Sequence, residues 1–146
     1  MSLTPDAIVV AGDDRVEHLT RLDGVLIAPP ARLDATPRSL VSDRFGATYV
    51  SDEFGISAVR PGRITWTWAG TQPLSFGPVF GPEGNIYLGT VDGFVIALNR
   101  RGDERMLERV SSGSVVDIRF EGVGQLTVVD AHGDQYEVSL PEIKEF

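Results

Sequence analysis

Four short acidic turns carry most of the side chains that could bind a ligand or a partner. They recur every 38 to 40 residues, and their ionisable residues are Asp13, Asp14, Asp52, Glu53, Asp92, Asp130, His132 and Asp134. Carboxylates attract cations and basic protein surfaces through their charge. Aspartate is also a frequent turn residue for conformational reasons alone, so a purely structural role stays open. Our hypothesis is that these residues contact a basic protein partner.

Metal binding and catalysis receive less support from the same residues. Asp130, His132 and Asp134 alternate, which could offer oxygen and nitrogen ligands, but a solvated hairpin shows the same alternation. The sequence has no calcium-loop motif, no Gly-x-Ser-x-Gly motif, no phosphate-binding loop and no cysteine. We therefore expect no catalytic residue, no metal and no cofactor, and we favour a protein that is not an enzyme.

Composition excludes further classes of function. The chain has 146 residues, which predicts one domain, and 13 basic against 21 acidic residues give a net charge of −8. This charge argues against nucleic acid as a partner, and no apolar run is long enough for a membrane span. The N-terminus is uncharged up to Asp6. If Met1 is the native start we expect a cytoplasmic protein, and a trimmed chain could be periplasmic or extracellular.

A repeat of about 40 residues runs through the chain. Gly46, Gly84 and Gly124 are spaced by 38 and 40 residues, and each precedes a short apolar stretch, a polar turn and another glycine. A weaker copy surrounds Val9, which lies 40 residues before Tyr49. Such a fixed period is typical of stacked structural repeats.

Each repeat contains a predicted β-hairpin with a further strand on either side. The clearest hairpin joins two β-branched and apolar runs, 86–90 and 94–98, through a turn that ends at Gly93. We name the four strands of a repeat A, B, C and D in chain order, and B and C form the hairpin. The other predicted hairpins are 8–11 with 16–20, 48–51 with 56–59, and 126–129 with 135–138. Strands A are predicted at 39–42, 78–80 and 115–120, and strands D at 25–28, 64–68, 105–109 and 142–146.

The ends of the chain are less clear. Residues 7–22 could instead form a helix, because Val9, Val16, Leu19 and Leu22 could share one face, although residues 12–14 interrupt the pattern. Residues 1–6 are too few to cross back and pair, so strand A of the first repeat is predicted to be missing. Residues 141–146 are ambiguous between strand and helix.

The third repeat, residues 82–102, resembles the repeat of quinoprotein-like (PQQ-like) β-propellers, which runs Gly-x-x-Tyr-Val, Asp-Gly, Ala-Leu, Gly and then Trp. The second repeat matches at Gly46, Tyr49, Val50, Gly55, Ala58, Val59, Gly62 and Trp66. Met106 takes the place of that Trp in the third repeat, and the last repeat lacks both the Ala-Leu pair and the Trp. The family includes quinone-dependent dehydrogenases and non-catalytic scaffolds, so the resemblance alone does not choose a function.

The repeats predict an all-β chain of four antiparallel, four-stranded propeller blades, the first of them incomplete. The blade-like units are residues 1–28, 38–68, 77–109 and 114–146 of a single domain, 1–146. These blades would either close into a four-blade ring or form half of an eight-blade ring made by two chains. We favour a homo-oligomer, a dimer first, because an unpaired inner edge is an aggregation hazard.

The antiparallel topology is expected to place the acidic turns at one end of the strands and the arginine-bearing turns at the other. The B–C turns and D–A connections, including residues 29–37, lie at one end of the strands, and the A–B and C–D turns lie at the other. The C–D turns carry Arg21, Arg60, Arg63, Arg100, Arg101 and Arg105, so an acidic face and a basic face are expected. Trp66 and Trp68 alternate with threonines and should point into a core between blades.

Our favoured function is a non-catalytic scaffold that binds a protein through the acidic face. One alternative is a small-ligand binder or quinoprotein-like enzyme with a site at the ring centre, formed by Asp43, Asp117, Arg119 or His132. A second alternative is an acidic inhibitor or immunity-type protein of a basic enzyme.

Overall fold

The computed structural model describes residues 2–4, 7–20, 23–33, 35–122 and 125–139. In these ranges the chain forms strands that we number in order: β1 Ser2–Leu3, β2 Ala7–Ala11, β3 Arg15–Thr20, β4 Ala31–Arg32, β5 Ser39–Ser42, β6 Thr48–Ser51, β7 Gly55–Arg60, β8 Arg63–Ala69, β9 Leu74–Phe80, β10 Ile86–Thr90, β11 Phe94–Leu98, β12 Glu104–Arg109, β13 Val115–Gly122, β14 Gln125–Asp130 and β15 Gln135–Ser139.

The strands form four antiparallel sheets in sequence order. The sheets are β1-β2-β3-β4, β5-β6-β7-β8, β9-β10-β11-β12 and β13-β14-β15. This confirms the prediction of an all-β chain built from repeated antiparallel units. The chain divides into two compact units, which we call unit 1 (Met1–Thr71) and unit 2 (Gln72–Phe146), and each contains two of the sheets.

The predicted hairpins are present because their apolar runs fit a strand that is buried on both sides. Every residue of β10 is buried, and β10 pairs with β11 in a register that places Tyr87 opposite Ala97. Gly93 closes the turn with φ of 90°, a conformation that only glycine adopts without strain. The hairpins β6–β7 and β14–β15 repeat this arrangement.

The first sheet corrects two predictions and excludes one alternative. Strand A is not missing, because β1 pairs with β2 through Ser2↔Val9 and Leu3↔Ile8. The hairpin predicted at 8–11 with 16–20 is confirmed, since β2 and β3 pair there, and this excludes the alternative helix. The outer strand is not at 25–28, where only a single bridge, Leu19↔Leu26, is made. It is β4, because Pro29 and Pro30 have no N–H to donate and pairing resumes only after them.

At the other end of the chain, the fourth sheet has three strands within the described residues. The predicted strand at 142–146, which was ambiguous with a helix, lies outside those residues. No helix in the described residues is long and apolar enough to cross a membrane.

Each unit has an apolar core formed between its two sheets. A core cluster of unit 1 brings together the buried residues Val9, Val16, Ala31, Val50 and Val59. A core cluster of unit 2 brings together the buried residues Tyr87, Val95, Ala97, Met106, Val115, Ile118, Leu126, Val128 and Val138. Because strands from both sheets contribute to each cluster, the core fixes where the turns at the strand ends can lie.

Candidate protein-interaction surface

The turn between β2 and β3 presents the first pair of predicted site residues. Asp13 and Asp14 are both exposed. The Asp14 carboxylate lies 3.6 Å from the guanidinium of Arg32 on β4, and both side chains are largely exposed. Water screens such a pair, so it contributes little to stability and leaves Asp14 accessible.

The two acids of the turn between β6 and β7, Asp52 and Glu53, have different surroundings. Asp52 is half-buried, and its Oδ1 accepts hydrogen bonds of 2.9 Å from the backbone N–H groups of Phe54 and Gly55. This is an Asx turn, in which the side chain holds the loop in shape. Glu53 is exposed beside it and makes no hydrogen bond or ion pair among the described residues.

Asp130 plays the structural role in the turn between β14 and β15. It is only 2% exposed, and its Oδ1 accepts the backbone N–H groups of His132 (2.9 Å) and Asp134 (3.0 Å). Its Oδ2 accepts the hydroxyls of Ser111 (2.7 Å) and Tyr136 (3.3 Å). The Ser111 hydrogen bond, followed by those from the backbone, holds the pKa of Asp130 below its ordinary value.

This burial corrects one predicted contact residue. Asp130 cannot reach a partner, because both carboxylate oxygens are bound inside the protein. His132 and Asp134, two and four residues further on, are exposed. Among the described residues, no group of three or more His, Asp or Glu side chains is arranged to hold a metal ion.

Asp92 resembles Asp52 more than Asp134. It is half-buried in the turn between β10 and β11, and its Oδ1 accepts the hydroxyl of Thr90 on the preceding strand. The backbone carbonyl of Asp92 accepts the guanidinium Nε–H of Arg109 at 3.2 Å. Asp92 therefore shapes the turn and offers only part of its surface.

Hydrogen bonds tie the acidic turns of each unit to one another. In unit 1, the connection after β4 is bound at both ends. The backbone N–H of Leu33 donates to the Asp14 carbonyl, and that of Arg38 donates to the Ser51 carbonyl, both at 2.7 Å. In unit 2, Ala131 N donates to Ser114 O at 2.8 Å, and Ser114 Oγ donates to Val91 O at 3.0 Å. In each unit the B–C turns and the connection between them thus share one edge.

The predicted basic residues lie at the opposite ends of the strands. Arg63, Arg100 and Arg101 are exposed. Arg60 is half-buried and donates to the Phe45 carbonyl at 3.2 Å, while Arg105 is half-buried in unit 2. Arg21 lies outside the described residues.

The remaining candidate residues have mainly structural surroundings. Trp66 and Trp68 are half-buried, and the ring of Trp66 packs against Tyr49 with centroids 6.0 Å apart. Asp43 accepts the Tyr49 hydroxyl at 3.0 Å, and Asp117 pairs with Arg119 at 3.0 Å on β13. In each of these contacts both residues belong to the same sheet or its turns, so the contacts stabilise that sheet.

Sequence reasoning missed three residues that build these turns. Ser111 lies in a segment that reads only as a loop, Tyr136 reads as an ordinary strand residue, and Thr90 ends a strand. A signal was available, because Thr90 stands two residues before Asp92 and Tyr136 stands six after Asp130. Hydroxyl groups at such short range from an aspartate are frequent hydrogen-bond donors to it.

The comparisons with known proteins concern the fold. No protein-family model matches the chain, and no curated protein matches it in sequence. The structure of "the computationally designed Ika4 protein" superposes with a TM-score of 0.71 at 12% identity, covering 96% of this chain and 89% of that one.

Two further solved structures also match the chain. The "WD40 beta propeller domain of Doa1" matches with a TM-score of 0.66 at 14% identity over 94% of this chain. "BBS1N in complex with ARL6DN, soaked with lead" matches with a TM-score of 0.67 at 20% identity over 93% of this chain. The present chain spans 47% and 44% of those two chains. These likenesses support repeats of the β-propeller type, and the finer quinoprotein-like resemblance stays a prediction.

Proposed function

We propose that this protein is a non-catalytic scaffold that binds a basic protein partner through its acidic turns. The supporting observation is that Asp52 and Asp130 already make the hydrogen bonds that shape their turns. The neighbouring acids, Glu53 and Asp134, are exposed and have no such task within the described residues. In these two turns, turn formation explains the first acid and leaves the second for an external contact.

One of the similar solved structures and a cleft in unit 1 give further support to this proposal. The BBS1N structure contains a propeller bound to a protein partner, ARL6DN. In unit 1, a small cleft of about 60 Å³ lies beside Asp52, with Leu33 and Pro37 of the connection as one wall. A partner's basic side chain could place its apolar stem against this wall and its charge near the carboxylates.

The proposal predicts binding of a short arginine-rich peptide, measured by calorimetry at low salt. The double variant Glu53→Gln/Asp134→Asn should weaken binding roughly tenfold, because one exposed charge is removed from the acidic turns of each unit. Amide resonances of residues 52–54 and 131–134 should shift on binding to the parent protein.

The matched control is Glu104→Gln/Glu137→Gln, which removes two exposed carboxylates away from the acidic turns. Affinity close to that of the parent protein is expected. An equal loss of affinity in both double variants would mean that only net charge matters, and the proposed surface would be wrong.

The oligomeric state is a separate part of the proposal. We propose a homodimer, in line with the expectation that two chains complete one ring. Light scattering coupled to size exclusion measures this directly. A particle of 15.8 kDa, the mass of one chain, would overturn the dimer and leave the interaction surface untouched.

A further inference from the structure

A polar cleft lies in unit 2 at the strand ends opposite the acidic turns. Its volume is about 400 Å³. The turn between β9 and β10, residues 83–85, forms one wall, and the turn between β11 and β12 forms the other. The second wall contributes Arg100 and Arg101, and Arg105 follows at the start of β12. Three arginines therefore line one concave surface.

The acids in this cleft are already engaged by neighbouring side chains. Glu83 accepts the hydroxyl of Tyr87, and Asp103 Oδ2 accepts Asn99 Nδ2 at 3.1 Å. In contrast, the guanidiniums of Arg101 and Arg105 form no ion pair within the described residues. The Nε of Arg105 is buried and has no hydrogen-bond partner there. A buried donor without a partner is costly, and since Arg105 lines the cleft, an acceptor bound there could offset this cost.

A β-bulge sets the position of Arg105. β12 pairs with β11 in one register from Phe94↔Arg109 to Ala97↔Met106, and the register then shifts by one at Leu98↔Glu104. Arg105 is the extra residue at this shift. Bulges redirect a side chain out of the normal alternation of a strand and are frequent beside binding sites.

The second sheet offers an internal comparison for this bulge. β7 and β8 shift register between Ala58↔Trp66 and Val59↔Ile64, so Thr65 is the extra residue there. The hydroxyl of Thr65 donates to the Ala58 carbonyl at 3.1 Å. The same bulge thus carries a locally satisfied threonine in unit 1 and an arginine with a free donor in unit 2.

We infer that this cleft is an oxyanion-binding site, in which Arg101 and Arg105 hold a carboxylate or phosphate group. Guanidinium forks match the geometry of both groups and can bind them with two parallel hydrogen bonds. The site is distinct from the acidic turns. It would bind an anionic ligand, whereas the acidic turns are proposed to bind a basic partner.

The test uses inorganic phosphate and a short aspartate-rich peptide as probes, followed by amide resonances at low salt. The parent protein should show saturable shifts at Gly84 and at residues 99–105 with at least one probe. Response to phosphate alone would identify a phosphate source, and tighter binding of the peptide would identify a carboxylate source. The absence of shifts at these turns with both probes would overturn the inference.

Two variants and a matched control decide the role of the arginines. Arg105→Thr installs the residue of the equivalent bulge and should weaken binding roughly tenfold, as should Arg101→Gln, whose exposed side chain leaves the fold intact. Arg63→Gln removes one exposed charge from a C–D turn of unit 1 and should leave the affinity unchanged. An equal loss in Arg63→Gln, or full affinity in both Arg101→Gln and Arg105→Thr, would refute the site.

Discussion

The two units share a strand plan but differ in the side chains that fill their cores. In the described part of unit 1 the buried apolar residues are mostly small, and eight of the ten are alanine or valine: Ala7, Val9, Val16, Ala31, Ala47, Tyr49, Val50, Ile56, Ala58 and Val59. In unit 2 the corresponding set contains leucines, isoleucines and a methionine: Leu74, Ile86, Tyr87, Leu88, Val95, Ile96, Ala97, Leu98, Met106, Val115, Ile118, Leu126, Val128 and Val138. Larger side chains bury more apolar surface, so unit 2 has the stronger core.

The side-chain hydrogen bonds of unit 2 are also expected to be stronger than those of unit 1. Unit 1 relies largely on neutral hydroxyl pairs such as Ser42 with Thr48 (2.8 Å) and Ser57 with Thr67 (3.1 Å). Unit 2 joins hydroxyls to carboxylates, as in Ser111 with Asp130 (2.7 Å) and Thr127 with Glu121 (3.1 Å). Bonds to ionised groups are stronger than neutral ones. One repeat plan can therefore support two units of different stability, and we expect unit 1 to open first.

The largest effect is expected from truncation of the core of unit 2. Leu126→Ala should lower the free energy of unfolding by about 2–5 kcal/mol, because it leaves a cavity in a packed cluster. Val9→Ala in unit 1 removes less apolar surface and should cost about 1–2 kcal/mol. Denaturant unfolding with hydrogen exchange resolved by residue measures both. A larger loss for Val9→Ala would reverse the ranking of the two cores.

The next largest loss of stability is expected from replacing glycines in the turns. A Cβ at Gly93 would overlap the carbonyl oxygen of Ser111, and φ there is 90°. Gly93→Ala should therefore cost at least about 2 kcal/mol, since strain and overlap add. Gly133 has φ of 84° but open space around it, so Gly133→Ala should cost only about 1 kcal/mol.

Thermal unfolding of both alanine variants tests this pair. A similar loss in both would show that φ alone sets the cost and that the contact with Ser111 is unimportant. Unit 2 would then be held less tightly at its turns than its hydrogen bonds indicate.

The sequence was informative where a pattern extends over many residues. The hairpins follow from alternating and continuous apolar runs, and glycine at the turn follows from its positive φ. The two-residue strands β1 and β4 could not be predicted, because two residues carry no periodicity. The burial of Asp130 was also beyond the sequence, since it depends on Ser111, which is brought to it by the fold. The bulge at Arg105 depends on register, which no local pattern reports.

Acid should affect the two units in different pH ranges. His18 on β3 is 2% exposed, neither ring nitrogen has a partner among the described residues, and burial lowers its pKa below 6.5. The unfolded chain then binds a proton more readily, so stability from neutral His18 is complete above pH 6.5 and falls as the pH drops below it. The pKa of Asp130 is lowered from 3.8, so its contribution persists above that pH and is lost only in stronger acid.

Hydrogen exchange of β3 and β14 against pH measures these two ranges. Protection of β3 should decline in mild acid while β14 stays protected. His18→Leu should remove the mild-acid decline in unit 1 and leave the strong-acid loss in unit 2 unchanged. If His18→Leu keeps the same mild-acid decline, another group controls the opening of unit 1.

The smallest effect comes from a single hydroxyl in each unit. Ser42 in β5 joins Ser2 of β1 (2.6 Å) to Thr48 of β6 (2.8 Å), and Ser42→Ala should cost about 1 kcal/mol because only neutral hydrogen bonds are lost. Ser111→Ala should cost more, because it leaves the buried Asp130 carboxylate with one donor fewer. Chemical denaturation of the two variants compares them directly. Equal losses would mean that the charge on Asp130 adds nothing to this bond, and the stronger side-chain hydrogen bonding that we assign to unit 2 would not hold.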